Sequence, residues 1–243
     1  METIKINKGN TLLVAHRGLC SFEKENTMAS FIAAGNHSYY GIECDIHPTL
    51  DGKLVIIHDS DTKRVSGISK IVENTLYEDL NKINLYDIEC KNNYDYLKIP
   101  LFSDYLDCCI RYNKKCIIEF KEIFTKENII KTIEMVKDKN YLDNCIFISF
   151  YDTNLLLARQ LYKEINCQWL VSAFSKEILE NCRKNKFDID IEYHSLTKEI
   201  ISLLHENNIK VNAWTVNDKF DGEKLVEYGI DYITTNCLDL NCN

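Results

Sequence analysis

The chain has 243 residues, of which 45% are hydrophobic and 27% charged, and its formal net charge is −8 at pH 7. This length suits one α/β barrel, which needs about 250 residues, and the apolar content is ample for a core. The negative charge excludes a general nucleic-acid-binding protein, because such proteins need a basic surface to displace counterions from phosphates. Two prolines and eight glycines leave no room for a flexible linker, so we expect residues 1–243 to form a single domain.

The N-terminal sequence, METIKINKGNTLLVAHRG, lacks the basic segment, sustained apolar core and cleavage site of a signal peptide. No run in the sequence approaches the roughly 18 apolar residues of a membrane span. We therefore expect a cytoplasmic protein without stable membrane insertion. The eleven cysteines include no Cys-x-x-Cys pair, and several fall in strand-like runs, which predicts buried free thiols in a reducing compartment.

Short apolar runs alternate with longer segments of helical period, which is typical of repeated βα units. Eight strands are predicted, at Thr11–His16, Gly41–Ile46, Lys115–Phe120, Asn144–Phe150, Cys167–Ala173, Phe187–Glu192, Lys210–Val216 and Asp231–Thr235. Seven helices are predicted between them, at Thr27–Gly35, Leu101–Arg111, Thr125–Lys137, Thr153–Lys163, Ser175–Lys184, Thr197–Asn207 and Lys219–Tyr228. This alternation favours an α/β fold of the (β/α)8 TIM-barrel type over an open doubly wound sheet, for which no glycine-rich nucleotide motif is present.

The second strand continues into a predicted β-hairpin extension, because Asp51-Gly52 is a strong signal for a two-residue turn. Counting outward from that turn places Asp45 directly opposite His58, where Cβ atoms are about 4.5–5.5 Å apart. Glu43 lies two residues before Asp45 and therefore shares its face of the strand. The hairpin is thus expected to bring two acids and a histidine together.

Active sites of barrels lie at the C-terminal ends of the strands, and unusual polar residues stand there in this sequence. They are His16 and Arg17 at the first strand, Glu43 and Asp45 on the second, Glu119 and Lys121 on the third, and Trp214 on the seventh. We expect these side chains to gather at one rim. Residues 60–100 are long for a βα connection, so we interpret them as a functional rim or lid, with a short helix at Leu76–Leu80.

The carboxylates of Glu43, Asp45 and Glu119 offer oxygen ligands without an accompanying thiolate. Such a set selects a hard cation, Mg²⁺ or Ca²⁺, with Mn²⁺ as a third candidate. Three carboxylates and one divalent cation sum to −1, and the two positive charges of Arg17 and Lys121 bring the site to +1, which balances one phosphodiester. The planar guanidinium of Arg17 suits two phosphate oxygens, and Lys121 acts as a point charge.

Two histidines at the same rim, His16 and His58, suggest acid–base catalysis on opposite sides of a phosphorus atom. One would take the proton from an attacking hydroxyl, and the other would donate a proton to the leaving alkoxide. An unperturbed imidazole titrates at about pH 6.5, so each histidine is expected to hold either form near neutrality. The residues leave open which histidine is the acid.

Nine short motifs follow one another in a recognisable order: HRG at 16–18, ENT at 25–27, ECD at 43–45, DG at 51–52, HD at 58–59, IPLFSDYL at 99–106, IIEFK at 117–121, AWTVN at 213–217 and GIDYITTN at 229–236. This set resembles the glycerophosphodiester phosphodiesterase family and covers nearly the whole chain. The resemblance implies a barrel enzyme that uses a divalent cation to cleave glycerophosphodiesters into glycerol 3-phosphate and an alcohol.

Carried over residue by residue, the resemblance implies an acid–base pair of His16 and His58, metal ligands Glu43, Asp45 and Glu119, phosphate contacts Arg17 and Lys121, and a substrate-side wall at Trp214. It also implies attack by the substrate's own glycerol 2-hydroxyl, giving a cyclic phosphate that water then opens. The chain departs from the family pattern at Lys24, Asn236 and Leu238, and we expect these departures to alter only local loop geometry.

Two alternatives remain open. A lysophospholipase D or sphingomyelinase D-like enzyme shares this site but accepts lipid chains, which the lack of an evident apolar helix or basic membrane patch disfavours. A non-catalytic phosphodiester-binding barrel is disfavoured by the intact histidines and carboxylates. We expect residues 60–100 to set the preference for the alcohol, while the alcohol itself and the oligomeric state are left open by the sequence.

Overall fold

The computed structural model describes residues 3–240. The strands are β1 (Ile4–Ile6), β2 (Leu12–Ala15), β3 (Gly41–Pro48), β4 (Leu54–Ile56), β5 (Lys115–Phe120), β6 (Cys145–Ser149), β7 (Asn166–Val171), β8 (Asp188–Glu192), β9 (Val211–Trp214), β10 (Tyr232–Thr235) and β11 (Leu238–Leu240). Eight parallel strands, β2, β3 and β5 to β10, pair in chain order, and β10 pairs with β2 to close the ring. The predicted (β/α)8 barrel is therefore confirmed.

Helices surround the barrel. They are α1 (Met28–Gly35), α2 (Lys63–Ser66), α3 (Tyr77–Leu80), α4 (Phe102–Arg111), α5 (Lys126–Asp138), α6 (Asp152–Leu161), α7 (Lys176–Asn185), α8 (Lys198–Glu206) and α9 (Lys219–Glu227), with 3-10 turns at Val72–Asn74, Leu142–Asn144 and Tyr193–Ser195. All seven predicted helices are present, as is the short helix expected near Leu80.

Helix α5 illustrates how the sequence places a helix on the barrel. Thr125 caps the helix because its side-chain oxygen accepts a hydrogen bond from the backbone N–H of Asn128. Ile129, Ile133 and Val136 recur along one face and are fully buried. Strand residues that point outward pack against the apolar faces of the helices. The alternate strand residues point into the barrel, where polar side chains can form a site.

The β3–β4 hairpin forms, but its turn is one residue longer than predicted. The backbone N–H of Ile57 donates to the carbonyl oxygen of Asp45 at 3.0 Å, so Asp45 lies opposite Ile57. The prediction that Asp45 lies opposite His58 is wrong, because Gly52 adopts a φ of 70° and closes a three-residue loop. His58 still reaches the rim, since β4 ends at Ile56 and the chain leaves the ladder there.

Residues 60–100 form a small cap beside the hairpin, and this cap has a hydrophobic core. Its buried side chains are Val65, Val72, Leu80, Ile83, Leu85, Leu97 and Ile99, which pack with Val55 and Ile57. Tyr94 and Tyr96 stack on one another at the exposed surface. The cap is thus held by apolar packing, with these two tyrosines on its surface.

Strands β1 and β11 form a separate two-stranded parallel sheet that the sequence did not predict, since three-residue runs are too short to show alternation. Every helix within residues 3–240 is too short or too polar to span a bilayer. The cysteines of this part of the chain are free thiols, and most are buried, while Cys242 lies outside the described residues.

Candidate active site

A cavity opens at the C-terminal ends of the barrel strands, where the sequence places the site. Its lining residues are His16, Arg17, Glu43, His58, Glu119, Lys121, Ile148, Phe150, Leu170, Asp190, Trp214, Thr215 and Thr234. Seven of the eight predicted site residues belong to this lining. The eighth, Asp45, lies directly beneath it against Arg17 and Lys121.

Glu43, Asp45 and Glu119 form a buried acidic cluster. One oxygen from each lies within 4.8 Å of the others. Neighbouring strands bring them together, because β3 and β5 pair in parallel with Asp45 beside Glu119. Glu43 Oε1 is buried without a hydrogen-bond partner among residues 3–240, and Asp45 Oδ1 and Glu119 Oε1 face the ammonium of Lys121. Converging carboxylate oxygens are the donors that a hard divalent cation takes, so the cluster fits such an ion.

The pKa values of these acids reflect their confinement. Burial raises the pKa of Glu43 well above its usual range, and the charges of Asp45 and Glu119 raise it further. Burial and Asp45 together raise the pKa of Glu119 to about 8. Burial also disfavours ionised Asp45, but the charges of Lys121 and Arg17 outweigh it and lower the pKa of Asp45. Mutually repelling buried acids are stabilised by a shared cation.

Arg17 is fixed at the rim by its backbone and its side chain. Its φ is 55°, in the left-handed region that non-glycine residues rarely adopt. Its backbone N–H donates to Glu43 Oε2 at 2.8 Å. Its guanidinium donates to Glu25 at 2.9 Å and lies 3.4 Å from Asp45. A side chain at Gly18 would clash with Ser30, so the tight HRG loop that presents Arg17 needs glycine next to it.

Lys121 follows β5 and reaches back over the acids. Its Nζ lies 2.9 Å from Glu119 and 3.4 Å from Asp45. Burial lowers the pKa of Lys121, but Asp45 and Glu119 raise it more, so the ammonium stays charged. Arg17 and Lys121 therefore place two cations beside the acidic cluster, as predicted.

His16 has an amide partner. Its Nδ1 lies 2.8 Å from Oδ1 of Asn236, an oxygen that also accepts a hydrogen bond from the Cys20 thiol at 3.0 Å. The expectation that Asn236 alters only loop geometry is therefore wrong, because strand β10 ends beside β2 and brings the amide to His16. Burial, helped by Arg17, lowers the pKa of His16 to about 4, which keeps the free imidazole neutral.

His58 has a carboxylate partner instead. Its Nδ1 lies 2.6 Å from Asp59, which also accepts a hydrogen bond from Arg64 Nε at 2.6 Å. Arg64 donates two further bonds to Glu25, at 2.8 and 2.9 Å. Burial lowers the pKa of His58, although Asp45 and Asp59 oppose this shift. The expectation that each histidine titrates near neutrality therefore fails for His16, whose pKa is about 4 in the free site.

Glu25, Arg64 and Asp59 form an ionic bridge from Arg17 to His58. Burial raises the pKa of Glu25, but Arg64 and Arg17 outweigh burial and lower it to about 2. The sequence offered Glu25 and Asp59 within the ENT and HD motifs, yet it gave no signal for Arg64. The role of this cation, which lies in the polar segment 60–100, becomes visible only when Arg64 on helix α2 is seen to pair with Glu25 and Asp59.

The half of the cavity that is lined by residues of β6 to β9 is mostly apolar. Ile148, Leu170 and Trp214 belong to one buried cluster inside the barrel. Phe150 packs edge-to-face on Trp214 with ring centroids 5.6 Å apart. Asp190, which the sequence analysis missed, is the buried acid of this half. Its signal was the alternation DIDIE, where every second residue of β8 is acidic and shares one face.

Most of the chain matches a known sequence family. A family model described as the glycerophosphoryl diester phosphodiesterase family matches residues 16–240. The chain belongs to this family. Its enzyme class is therefore that of the glycerophosphodiester phosphodiesterases, and the resemblance inferred from the motifs is confirmed.

Full-length relatives agree with this assignment. A glycerophosphodiester phosphodiesterase of Caldanaerobacter subterraneus is 26% identical, covering 93% of this chain and 94% of its own. Another, of Bacillus subtilis, is 27% identical and covers 96% and 88%. A solved structure of an Oleispira antarctica phosphodiesterase, in complex with the product sn-glycerol-3-phosphate, superposes with a TM-score of 0.87 at 25% identity, covering 93% and 92%.

Proposed function

We propose that this phosphodiesterase hydrolyses glycerophosphodiesters to glycerol 3-phosphate and an alcohol, with the help of one divalent cation. The observation that carries the proposal is the convergence of three acids, two cations and two histidines on one cavity rim. The names of the relatives point to the same substrates. We take residues 1–243 as one catalytic domain acting on a small molecule; that organisation, the cytoplasmic location and the lack of nucleic-acid binding stay predictions.

Glu43, Asp45 and Glu119 would hold the cation, with Mg²⁺ or Ca²⁺ favoured and Mn²⁺ as a third candidate. When bound, the ion would offset the negative charge of the phosphodiester and polarise its oxygens. Arg17 and Lys121 would bind the other phosphate oxygens. Their charges reach the cavity already paired with the acids, so they are oriented before substrate arrives. Trp214 forms one wall of the same cavity.

The partners of the two histidines suggest their roles in the first step. Asn236 fixes the N–H of His16 on Nδ1, which leaves Nε2 free to take the proton of the attacking glycerol 2-hydroxyl. Asp59 stabilises a protonated His58, which can give its proton to the leaving alkoxide. An intramolecular hydroxyl has a high effective concentration, and the product of this step is a cyclic phosphate.

In the second step the roles reverse. His58, now neutral, takes a proton from the water that attacks phosphorus, and the bond between phosphorus and the glycerol 2-oxygen breaks. His16 returns its proton to that oxygen, giving glycerol 3-phosphate and restoring both histidines. An analogue that lacks the 2-hydroxyl should bind without being cleaved; normal turnover of that analogue would instead require direct attack by water.

The decisive assay is release of glycerol 3-phosphate from glycerophosphocholine, with Mg²⁺ or Ca²⁺ added and with EDTA. We expect turnover with metal and loss of turnover in EDTA. Binding of glycerophosphocholine without turnover under Mg²⁺, Ca²⁺ and Mn²⁺ would overturn the proposal and favour a non-catalytic binding barrel.

A lysophospholipase D-like activity is the second candidate, and exposed apolar side chains favour it. Ile123, Phe150, Tyr151 and Phe220 are exposed in or beside the loops that follow β5, β6 and β9, at the rim of the cavity. Such side chains can contact acyl chains. A kcat/KM for lysophosphatidylcholine above that for glycerophosphocholine would make the lipid the preferred substrate, and the reverse order is expected under the leading proposal.

A further inference from the structure

Asp190 is a buried acid that the chemistry described above does not use. It lies at the centre of β8, is 1% exposed, and lines the cavity. Its Oδ1 has no hydrogen-bond partner within residues 3–240. An unpaired buried polar group of this kind destabilises the fold, and apolar packing at the same position would avoid that cost.

The surroundings of Asp190 give no structural reason for a carboxyl group. Its cross-strand neighbours are Leu170 on β7 and Asn212 on β9. The Asn212 amide donates to Gln168 at 3.2 Å, and its oxygen accepts a hydrogen bond from Thr234 at 3.1 Å. That buried polar chain does not include Asp190, and Gln168 Nε2 is likewise buried without a hydrogen-bond partner within residues 3–240. The carboxyl group of Asp190 lines the cavity and is therefore available to a ligand, whereas a leucine at this position would carry no unsatisfied atom.

The position of Asp190 indicates which part of a substrate it meets. In the closed ring β8 lies four strands from β3 in either direction, so Asp190 faces the acidic cluster across the full width of the cavity. With the phosphate held by Arg17 and Lys121, a group in contact with Asp190 must lie at the far end of a bound moiety. The glycerol moiety is small enough to fit the buried end of the cavity beside Asp190. An alcohol of variable size needs the end that opens to solvent.

The chemistry of Asp190 suits a hydroxyl group. Burial raises the pKa of Asp190 to about 8, so the carboxyl group carries its proton at neutral pH. A protonated carboxyl group both donates and accepts hydrogen bonds, as does a hydroxyl group. An ammonium head group would call for an ionised carboxylate instead. We propose that Asp190 is a specificity-determining residue that hydrogen-bonds the terminal hydroxyl of the substrate's glycerol moiety.

This inference rests on the proposed function, and its test compares three substrates and two variants. The substrates are glycerophosphocholine, glycerophosphoethanolamine and 2-hydroxypropyl phosphocholine, which keeps the reactive hydroxyl but lacks the terminal one. The variants are D190L, which keeps the branched shape at Cγ but has no polar atom, and D190N, which keeps a donor and an acceptor. Wild type should lose about 10- to 100-fold in kcat/KM when the terminal hydroxyl is removed.

The leucine variant should lose the same factor on both glycerol substrates and show no further loss on the 2-hydroxypropyl analogue. The asparagine variant should fall between wild type and D190L. Full discrimination retained by D190L would overturn the inference. A loss confined to one head group would also overturn it, by assigning Asp190 to the alcohol.

A binding measurement separates this inference from the proposed function. Calorimetry with Ca²⁺ present compares sn-glycerol 3-phosphate with 2-hydroxypropyl phosphate, and only wild type and D190N should prefer the former. If no glycerophosphodiester is cleaved but this preference is present and disappears in D190L, the proposed activity fails while the assignment of Asp190 stands. If turnover is normal and D190L keeps the preference, the assignment alone fails.

Discussion

The two halves of the cavity differ in how their polar groups are satisfied. On the side of β2, β3 and β5, charged groups are close to opposite charges, from Lys121 and Glu119 to Arg64 and Asp59. On the side of β6 to β9, apolar side chains surround Asp190, whose Oδ1 has no hydrogen-bond partner in the described part of the chain. The same barrel thus supports a rigid electrostatic half, suited to a reacting phosphate, and an apolar half, suited to a neutral moiety.

This difference has an electrostatic reason. A phosphodiester needs fixed charges and proton donors aimed at it, and fixed charges must be braced by other charges to remain in place inside a protein. A glycerol moiety needs only a few hydrogen bonds and a wall. We therefore expect substitutions in the charged half to reduce kcat strongly, and those in the apolar half to change substrate discrimination.

The largest effect is expected at the histidines. Under the proposed mechanism His16→Ala removes the proton acceptor, and it should lower kcat about 10²- to 10⁴-fold. The matched control is His205→Ala, because His205 is exposed and pairs with Asp231, which precedes β10 at the opposite, N-terminal end of the barrel strands. Turnover of glycerophosphocholine is the measurement, with circular dichroism to verify folding. Near-wild-type turnover in His16→Ala would remove this residue from the mechanism.

The next effect concerns the metal. Glu119→Gln removes a carboxyl group that would ionise to bind the cation, and we expect weaker metal binding and about 10²-fold lower activity at limiting Mg²⁺ or Ca²⁺. Excess metal should restore part of the activity. Glu127→Gln, in the exposed first turn of α5, should leave the metal dependence unchanged. Metal titration of activity tests the pair, and an unchanged dependence in Glu119→Gln would exclude Glu119 as a ligand.

A smaller effect is expected at Arg64, which supports Arg17 and His58 through Glu25 and Asp59. Arg64→Ala breaks the bridge to Glu25 and Asp59, and the loosened Arg17 and His58 should lower kcat about 10-fold. Arg183→Ala is the control, because Arg183 pairs with Glu180 on the surface of α7. A shift of the acidic limb of the pH–rate profile should accompany the loss, since Asp59 would hold His58 differently. A profile of unchanged shape would reduce Arg64 to a merely structural role.

The smallest effect concerns stability and belongs to the apolar half. An unfolded aspartate has a pKa near 3.8, and burial raises that of Asp190 to about 8, so between these values the folded chain binds more protons. Wild-type stability due to Asp190 should therefore fall as the pH rises from about 4 to about 8. Asparagine cannot ionise, so Asp190→Asn should gain about 1–3 kcal/mol in relative free energy of unfolding across this window.

Denaturant unfolding at several pH values measures this gain. Asp138→Asn, at the exposed end of α5, should show no such pH-dependent difference from wild type. If Asp190→Asn runs parallel to wild type across the window, the carboxyl group is ionised or solvated in the fold.

Much of the barrel could be predicted from the sequence because each strand and helix is marked by short-range patterns in the sequence. Alternating apolar runs and caps such as Thr125 mark each element, and the closed order of strands follows from their number. Strands β1 and β11 escaped prediction because three residues carry no periodicity. The hairpin register was wrong because a turn of two or three residues around Asp51-Gly52 depends on backbone dihedral angles that composition does not fix.

The sequence by itself determined the candidate site residues: the two histidines, the acidic cluster and the two cations stand in short motifs at strand ends. Tertiary structure decided what each of them touches. Asn236 contacts His16, Arg64 pairs with Glu25 and Asp59, and Asp190 Oδ1 has no hydrogen-bond partner within residues 3–240. Each of these facts depends on residues far apart in the chain. The physical reason is that strand periodicity fixes the face on which a side chain lies. The residues that surround that side chain are set by barrel closure and by the cap of residues 60–100.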